Sequence, residues 1–293
     1  MANWRKSSIL ALTALVGVTA VWGSTFLVVQ NAIYRIPVMD FLAVRFTVAT
    51  LVMISLRPAC VRDIKLGELW HGALLGIALG SGYITQTFGL LWASAAISGF
   101  ITGMFVVLTP VAAWMILRHR INRNTWLAVA LATVGLALLG LHGWSVGIGE
   151  LLTFICAIFF AIHIVGLGYW SPQHNTYRLT IIQIGTVAII SLIAAIPGGI
   201  TLPTDGTVWG AIGLTAILAT AVAFLVQTWA QSLVPPTRAA VVMTMEPVFA
   251  GIFAVAFGGN QITLRIIGGA LCVLAAMFIV QIRSVSIAQR DKT

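Results

Sequence analysis

The side chain in this sequence that is best placed to do chemistry is the carboxylate of Glu246. It lies about eight residues inside the apolar run Ala239–Phe257, where a charge is costly enough to be a functional candidate by default. A carboxylate at this position could bind a ligand or carry a proton. The next residue, Pro247, lacks a backbone donor and frees a carbonyl group one helical turn earlier, so we expect a local helix break beside a polar cavity. The alternative is a structural carboxylate that Arg45 or a neighbouring hydroxyl group neutralises.

Two basic side chains also lie within apolar runs. His163, in the run Leu151–Gly168, can change its charge near neutral pH and could carry a proton, and a packed hydrogen-bonding role is the alternative. Arg45 lies five residues after Asp40 and could bind an anionic group. In a structural role, its long side chain would instead extend to the edge of the apolar region or pair with Asp40.

Aromatic and uncharged polar side chains add further binding groups. Trp22 could stack its ring on an apolar or cationic molecule, and a packing role is the alternative. Polar residues spaced three or four apart share one face of a helix, so their amide and hydroxyl groups can act together. Two such sets are present, Tyr83 and Gln86 with Thr87 beside them, and Gln227 with Gln231.

These residues belong to a chain dominated by apolar stretches. Hydrophobic residues make up 60% of it and charged residues only 8%, whereas about a quarter of the residues in soluble domains are charged. A helix of about 20 apolar residues crosses a bilayer, and ten stretches approach that length. We therefore predict an all-α membrane protein with ten transmembrane helices. The stretches are Ser8–Gln30, Val38–Leu56, Leu69–Trp92, Ile97–Leu117, Thr125–Leu141, Leu151–Gly168, Leu179–Ile196, Val208–Ala230, Ala239–Phe257 and Ile262–Ile282.

The Lys and Arg residues orient these helices. When the N-terminus is placed in the cytoplasm, 13 of the 16 basic residues fall on the cytoplasmic side, Arg35 and Arg265 fall outside, and Arg45 lies within a helix. Because membrane proteins concentrate Lys and Arg in cytoplasmic loops, both termini are predicted to be cytoplasmic. Attraction to the anionic inner leaflet explains the net charge of +9, and we expect no nucleic-acid partner.

Motifs for catalysis and for cofactor binding are missing from the sequence. It contains no His-Glu-x-x-His, no Gly-x-Ser-x-Gly and no Gly-x-x-x-x-Gly-Lys-Ser/Thr segment. Cys60, Cys156 and Cys272 are widely spaced, so neither a disulfide framework nor a metal site is expected. We predict no enzyme activity, no cofactor and no bound metal.

The glycine-rich segment Leu141–Gly149 divides the predicted helices into two groups of five. Because five is odd, a second copy of the first half must enter the membrane upside down. Both halves contain a Gln-Thr-aromatic triplet followed by a helix with a central proline, Pro110 in one and Pro247 in the other. We therefore predict two inverted five-helix repeats, at residues 1–145 and 146–293, with both prolines in helix breaks that border a central cavity.

Glycines recur at four-residue intervals in two of the predicted helices. Gly72, Gly76 and Gly80 do so in the third helix, and Gly99 and Gly103 do so in the fourth. Small residues at this spacing let helices approach closely in a membrane, where packing drives their association. Close packing is the expected role, and sliding of these helices during a functional cycle is the alternative.

One set of features recurs together in a known family. It consists of Trp22-Gly23-Ser24-Thr25-Phe26, Arg45, and the helices with Thr109-Pro110 and Glu246-Pro247. With these features the chain resembles the EamA-type members of the drug/metabolite transporter superfamily. The resemblance covers essentially the whole chain, and it implies a carrier of the bacterial inner membrane, often an exporter of amino acids, other metabolites or toxic compounds. Many members have a glycine–glutamate pair where this chain has Arg118-His119-Arg120 and Gly259-Asn260-Gln261.

Together these features predict a secondary transporter that moves small amphipathic metabolites across the bacterial inner membrane by alternating access. Amino acids or related compounds are the first expected substrates, and export is the expected direction. Drug efflux is the alternative within transport, and a non-transporting scaffold or an intramembrane enzyme is less favoured. We expect a monomer in the lipid bilayer, with protons as a candidate coupling ion. The candidate residues for substrate binding or coupling are Glu246, His163, Trp22, Tyr83, Gln86, Gln227 and Arg45.

Overall fold

The chain is helical over nearly all of the residues that the structure describes. The structure is a computed structural model, and it describes residues 2–118, 123–142, 145–243 and 245–258, together with 263–265, 267–272, 274–276 and 279. The strands β1 (Leu141–His142) and β2 (Ser145–Val146) pair antiparallel at the midpoint of the chain. The helices are α1 (Ala2–Ile33), α2 (Val38–Leu56), α3 (Ala59–Arg62), α4 (Leu66–Gly89), α5 (Ala95–Thr102), α6 (Phe105–Leu117), α7 (Arg123–Gly140), α8 (Ile148–Trp170), α9 (Thr176–Ala195), α10 (Gly206–Ala216), α11 (Ala223–Leu233), α12 (Pro236–Met243) and α13 (Met245–Gly258).

Six helical segments of the described chain are long and apolar enough to cross a membrane. Each coincides with one of the ten predicted stretches, so the prediction of a helical, multi-pass membrane protein is confirmed. The number ten and the cytoplasmic termini stay predictions. The six segments are Ser8–Ile33, Val38–Leu56, Ala95–Leu117, Ile148–Gln173, Thr176–Gly198 and Gly206–Leu233.

Helix α4 packs against α8, α9 and α2. It has 24 residues but is not among the six apolar segments, which fits its many glycines and polar residues such as His71 and Gln86. Glycines replace bulky apolar residues where α4 contacts other helices rather than lipid. A methyl group on Gly72 would lie 2.6 Å from the Ile182 side chain of α9, and one on Gly76 would lie 2.6 Å from the carbonyl oxygen of Gln183. The predicted close helix packing is confirmed at these two positions.

The fourth predicted helix is divided at a position that its proline does not explain. The run Ala95–Leu117 is interrupted at Gly103–Met104, where the backbone N–H of Met104 bonds to the carbonyl of Ile101, three residues earlier. Pro110 lies inside α6, which continues to Leu117, so the helix break predicted at this proline is wrong. A proline removes one backbone hydrogen bond, and the helix continues through that loss.

The Glu246-Pro247 segment forms the first turn of α13. Because backbone N–H groups of a first turn have no partner within the helix, a proline there costs no helical hydrogen bond. Glu246 is therefore close to the start of a helix, not eight residues inside one. The preceding helix α12 ends at Met243, and Thr244, which lies between the two helices, is outside the described residues.

The start of α4 is joined to the segment before α9 by the Glu68 carboxylate. It accepts hydrogen bonds from the backbone N–H of Asn175 at 3.1 Å and from Arg178 at 2.9 Å. Burial acts to raise the pKa of Glu68, but these hydrogen bonds outweigh it and hold that pKa below the usual value. Nearby, Nδ1 of His71 lies 2.7 Å from Nε2 of His174, and burial together with this second imidazole lowers the pKa of His174.

Candidate functional site

One cavity in the middle of the bundle brings together all seven residues that the sequence suggested for binding or coupling. They come from α1, α2, α4, α8, α11 and α13, and the remaining wall is largely apolar. The cavity volume is about 40 Å³, room for roughly three water molecules. A metabolite therefore requires the helices to move apart. The seven residues are Trp22, Arg45, Tyr83, Gln86, His163, Gln227 and Glu246.

The proline-containing helices also reach this cavity, through residues other than the prolines. Phe105 of α6 and Glu246 of α13 line it, whereas Pro110 and Pro247 are not among the lining residues. Thr87, which was expected to extend the polar surface of α4, is buried and does not line the cavity.

Gly23 brings α1 against α13 beside the cavity. A methyl group at this position would lie 2.8 Å from the carbonyl oxygen of Glu246 and 2.8 Å from the backbone nitrogen of Ala250. Gly99 of α5 makes a similar approach from another side, at 2.5 Å from the Ala250 side chain. Because these contacts leave no room for a side chain, the glycines hold the first turn of α13 close to Trp22. The Trp-Gly pair of the sequence therefore positions Glu246.

Glu246 is buried and has no bonded partner among the described residues. Its side chain is 5% exposed, and within the described part of the chain no group donates a hydrogen bond to its carboxylate. Two ion pairs are present among the described residues, Arg35–Asp205 and Arg178–Glu68, and neither involves Glu246. Neutralisation by Arg45 or by a neighbouring hydroxyl group, the structural alternative for this carboxylate, is therefore not observed among those residues.

Arg45 is also deeply buried, at 2% exposure, and is held by groups that carry no charge. Its Nε donates to Oγ1 of Thr220 at 2.9 Å, and its guanidinium carbon lies 4.8 Å from the centroid of the Tyr83 ring. The expected structural role, extension to the membrane edge or pairing with Asp40, is wrong. Asp40 instead accepts a hydrogen bond from the backbone N–H of Thr201 at 3.0 Å.

A short π-helical segment, Ile217–Val222, joins α10 to α11 and was not anticipated from the sequence. The wider turn changes the backbone pairing, and the carbonyl oxygen of Ala219 accepts a hydrogen bond from Nε1 of Trp22 at 2.8 Å. Thr220 donates to the carbonyl of Thr215 at 2.8 Å and accepts from Arg45. Such segments are frequent at functional sites. This one holds two cavity residues of the first half of the chain.

Aromatic rings form much of the cavity wall. Phe224 of α11 contacts Trp22 and Tyr83, with ring centroids 5.4 and 6.0 Å apart, and Phe160 of α8 lies 5.4 Å from Tyr83. Phe224 and Phe160 were not predicted, because nothing in their sequence surroundings distinguishes them from the other phenylalanines. Rings around a cavity that also contains a carboxylate can bind an organic cation.

His163 is engaged in a buried hydrogen-bond chain. Its Nε2 lies 2.7 Å from Oε1 of Gln183, whose Nε2 donates to Oγ1 of Thr228 at 3.0 Å. In this orientation of the Gln183 amide, whose oxygen can only accept, Nε2 of His163 is the donor. This arrangement matches the packed hydrogen-bonding role that was the alternative for His163. Gln183 and Thr228 were not predicted to take part.

The glutamines of the cavity differ in how fully they are bonded. Nε2 of Gln86 donates to Oγ1 of Thr102 at 3.2 Å, and Nε2 of Gln227 donates to Oε1 of Gln231 at 3.0 Å. Gln231 in turn donates to the carbonyl of Ile164 at 2.9 Å. Oε1 of Gln227 is buried and has no partner. No group of three or more His, Cys, Asp or Glu side chains that could hold a metal is present among the described residues.

Comparisons with known proteins show the family to which this chain belongs. A model described as the EamA-like transporter family matches residues 9–141 and again residues 147–282. A protein of Archaeoglobus fulgidus named an uncharacterized transporter is 34% identical over 275 residues, which cover 94% of this chain and 85% of that protein. The uncharacterized transporter YyaM of Bacillus subtilis is 24% identical over 90% of this chain and 91% of its own length.

The overall fold has a counterpart among solved structures. A crystal structure of a protein that is 17% identical superposes with a TM-score of 0.69, over 92% of this chain and 97% of the other. At that identity the likeness concerns the fold alone. The two family matches together span most of the sequence, and the chain is therefore a member of the EamA-like transporter family, within the drug/metabolite transporter superfamily.

Proposed function

We propose that this membrane transporter carries amino acids or closely related compounds by alternating access, and that it exports them. The observation that supports this most directly is that one cavity contains two buried groups of opposite charge. Arg45 and Glu246 are both buried and line the same cavity, and neither is in an ion pair within the described chain. A buried charge without a partner is unfavourable, so a ligand with both charges would stabilise each end of the site.

The internal symmetry of the packing supports an inverted repeat with halves at residues 1–145 and 146–293. Under that pairing α1 corresponds to α8, α4 to the α10–α11 helix, and the α5–α6 segment to α12–α13. Helix α4 packs on α8 just as α11 packs on α1, and α6 packs on α8 just as α12 and α13 pack on α1. The family model also matches each half separately.

The contacts between these halves support an alternating opening. At one end of the bundle Arg35 pairs with Asp205, and at the other Arg178 pairs with Glu68. Each pair joins one half to the other, and the narrow cavity lies between them. In the mechanism that we propose, one end opens while the other stays closed.

We propose ten membrane crossings with both termini in the cytoplasm, in the inner membrane of a bacterium. The distribution of Lys and Arg supports this orientation. We also propose that the transporter is a monomer and that a proton is its coupling ion. Glu246 is then the better carrier, because its carboxylate has no partner among the described residues, whereas His163 is bonded to Gln183.

Efflux of hydrophobic cationic drugs is the second candidate function, and the aromatic wall around Glu246 favours it. A cationic drug would leave Arg45 buried without a counter-charge. The amino-acid proposal accounts for both charges, and for this reason we favour it.

The test is uptake of each of the twenty amino acids into proteoliposomes that contain the purified protein and a trapped pool of the same compound. We expect saturable exchange for a subset of them. Glu246→Gln preserves shape and hydrogen-bonding capacity but removes the charge, so exchange should be abolished while the protein still inserts and accumulates. The matched control is Glu150→Gln, which removes an acid of α8 outside the cavity. Near-normal exchange in Glu246→Gln at equal protein would refute a functional carboxylate.

Direction is tested in cells. Overexpression of an exporter should give selective resistance to toxic amino-acid analogues that enter by other routes. Resistance to hydrophobic cationic drugs without resistance to these analogues would replace the amino-acid proposal by drug efflux.

A further inference from the structure

We propose that Gln227, Glu246 and the rings of Trp22, Tyr83 and Phe224 form a subsite for a primary ammonium group, and that Arg45 binds the carboxylate of the same molecule. This inference rests on the proposed transport of amino acids and defines how they lie in the cavity. The Tyr83 ring borders both subsites, because its centroid lies 4.8 Å from the guanidinium carbon of Arg45 and 6.0 Å from the centroid of the Phe224 ring.

The amide oxygen of Gln227 is the first observation that points to an N–H donor. Its orientation follows from the surrounding bonds: Gln231 donates to the carbonyl of Ile164, so its own oxygen must accept, and the group that Gln227 presents to it must be the amide nitrogen. Oε1 of Gln227 is then left as an acceptor. The residue is 1% exposed, lines the cavity, and this oxygen has no partner. An N–H group of a ligand would satisfy it.

The aromatic rings and the Glu246 carboxylate determine the charge of that donor. Trp22 and Tyr83 both contact Phe224, so three ring systems surround one part of a cavity that Glu246 also lines. Rings and a carboxylate both attract a cation. A quaternary ammonium would fit the rings but has no hydrogen to offer Gln227. A primary ammonium satisfies the rings, the carboxylate and the amide oxygen together.

Arg45 supplies the positive charge of the site and determines which second group the substrate must carry. Thr220 and the Tyr83 ring hold its guanidinium in place, and no acid pairs with it in the described residues. A carboxylate can bind a guanidinium with two parallel hydrogen bonds. The substrate must therefore carry both an ammonium group, for the first subsite, and a carboxylate group that reaches Arg45.

The experiment measures competition against leucine exchange in proteoliposomes by three analogues of leucine. The analogues are N,N,N-trimethylleucine, which lacks N–H donors, 4-methylpentanoate, which lacks the amine, and 3-methylbutylamine, which lacks the carboxylate. If another amino acid is the better substrate, its own three analogues replace these. We expect each analogue to bind at least about tenfold more weakly than the amino acid, because each leaves a buried polar group without a partner.

Two substitutions at position 227 assign the discrimination to that residue. Gln227→Met keeps the approximate volume but removes the acceptor, so the preference for leucine over trimethylleucine should shrink to within about threefold as the hydrogen bond is lost. Gln227→Glu retains an acceptor and should keep the preference, which separates this role from a failure to fold. Gln173→Met, at an exposed glutamine outside the cavity, is the control and should behave like the wild type.

The possible results distinguish the two proposals. Exchange of amino acids with equal competition by leucine and trimethylleucine, unchanged in Gln227→Met, would overturn the ammonium subsite and leave the transport function standing. No exchange of any of the twenty amino acids would overturn the proposed function and the subsite with it.

Discussion

Gly23 controls how closely α1 approaches the turn that carries Glu246. The substitution Gly23→Ala measures how much this close contact contributes to stability and to exchange. The added methyl group would lie 2.6 Å from Cβ of Phe249 and 2.8 Å from the backbone atoms of Glu246 and Ala250. Carbon atoms in good contact are about 3.5–4.0 Å apart, so α1 and α13 would have to separate by roughly 0.7 Å or more. Because backbone atoms are among those contacted, rotation of a side chain cannot relieve the clash.

Two opposing effects determine the size of the change. Overpacking a close contact costs about 1–3 kcal/mol, and replacing glycine by alanine inside a helix gains up to about 1 kcal/mol. We expect the clash to dominate, with a net destabilisation of about 1–2 kcal/mol. For a chain of this size that corresponds to a thermal midpoint lower by roughly 2–6 °C. Exchange should also fall, by about tenfold for each 1.4 kcal/mol of binding free energy that the displacement removes from the substrate site.

The assay is thermal unfolding of the detergent-purified protein together with amino-acid exchange at equal reconstituted amounts. The matched control is Gly17→Ala on the same helix, where a new methyl group would meet nothing within 4 Å. That variant should be as stable as the wild type or slightly more so, because only the helix propensity changes. If Gly23→Ala matches Gly17→Ala in both stability and exchange, then the reasoning from the close α1–α13 contact is refuted.

Three further results are expected. Thr220→Val removes the hydroxyl that accepts a hydrogen bond from Arg45, so exchange should fall about tenfold. Thr220→Ser retains a hydroxyl and should keep most of the activity. Equal activity of both variants would exclude a role for that hydrogen bond. The folded-state pKa of His174 is lowered by burial and by a neighbouring imidazole, so the unfolded chain binds more protons near pH 6 and stability should fall as the pH drops below about 6.5. His174→Gln should weaken this dependence of stability on pH in thermal unfolding scans at pH 5–8. If the thermal midpoint of the variant changes with pH as much as that of the wild type, His174 is not its source. Reporter fusions after Arg62 should behave as cytoplasmic and fusions after Ile36 as external, and an external signal at Arg62 would overturn the proposed orientation.

The charged residues of the cavity could be found from the sequence because an ionisable group in an apolar helix is rare and costly. That argument applies to Glu246 and Arg45 in the same way, and both line the cavity. What it could not supply is the partner of Arg45. The hydroxyl of Thr220 is one of many in the chain, and it becomes available through the π-helical turn.

Local sequence rules were less informative about the backbone. The four-residue glycine spacing indicated close packing of α4, but only the structure shows that Ile182 and Gln183 of α9 are the neighbours. Proline indicated a break at Pro110, whereas the interruption lies at Gly103–Met104. A proline loses one hydrogen bond wherever it occurs in a helix interior. Whether the helix continues depends on the packing of its neighbours, which short sequence patterns do not contain.

The polar contacts of the cavity divide into two kinds, and the division bears on how the proposed mechanism could work. Chains such as His163–Gln183–Thr228 and Gln227–Gln231 connect residues of the second half only, and Gln86–Thr102 connects residues of the first. These bonds can persist while each half moves as a unit.

Within the described part of the chain, two hydrogen bonds from cavity side chains join the halves, and both end on the π-helical segment. Trp22 bonds to the carbonyl of Ala219, and Arg45 bonds to Thr220. A rigid α-helix at this position would pair its own carbonyl groups four residues along, whereas the wider turn presents them to the other half. A substrate carboxylate bound to Arg45 would compete with the hydroxyl of Thr220 for the guanidinium. Under the proposed mechanism, binding would therefore loosen a contact between the halves, and substrate arrival would favour the movement that carries it across.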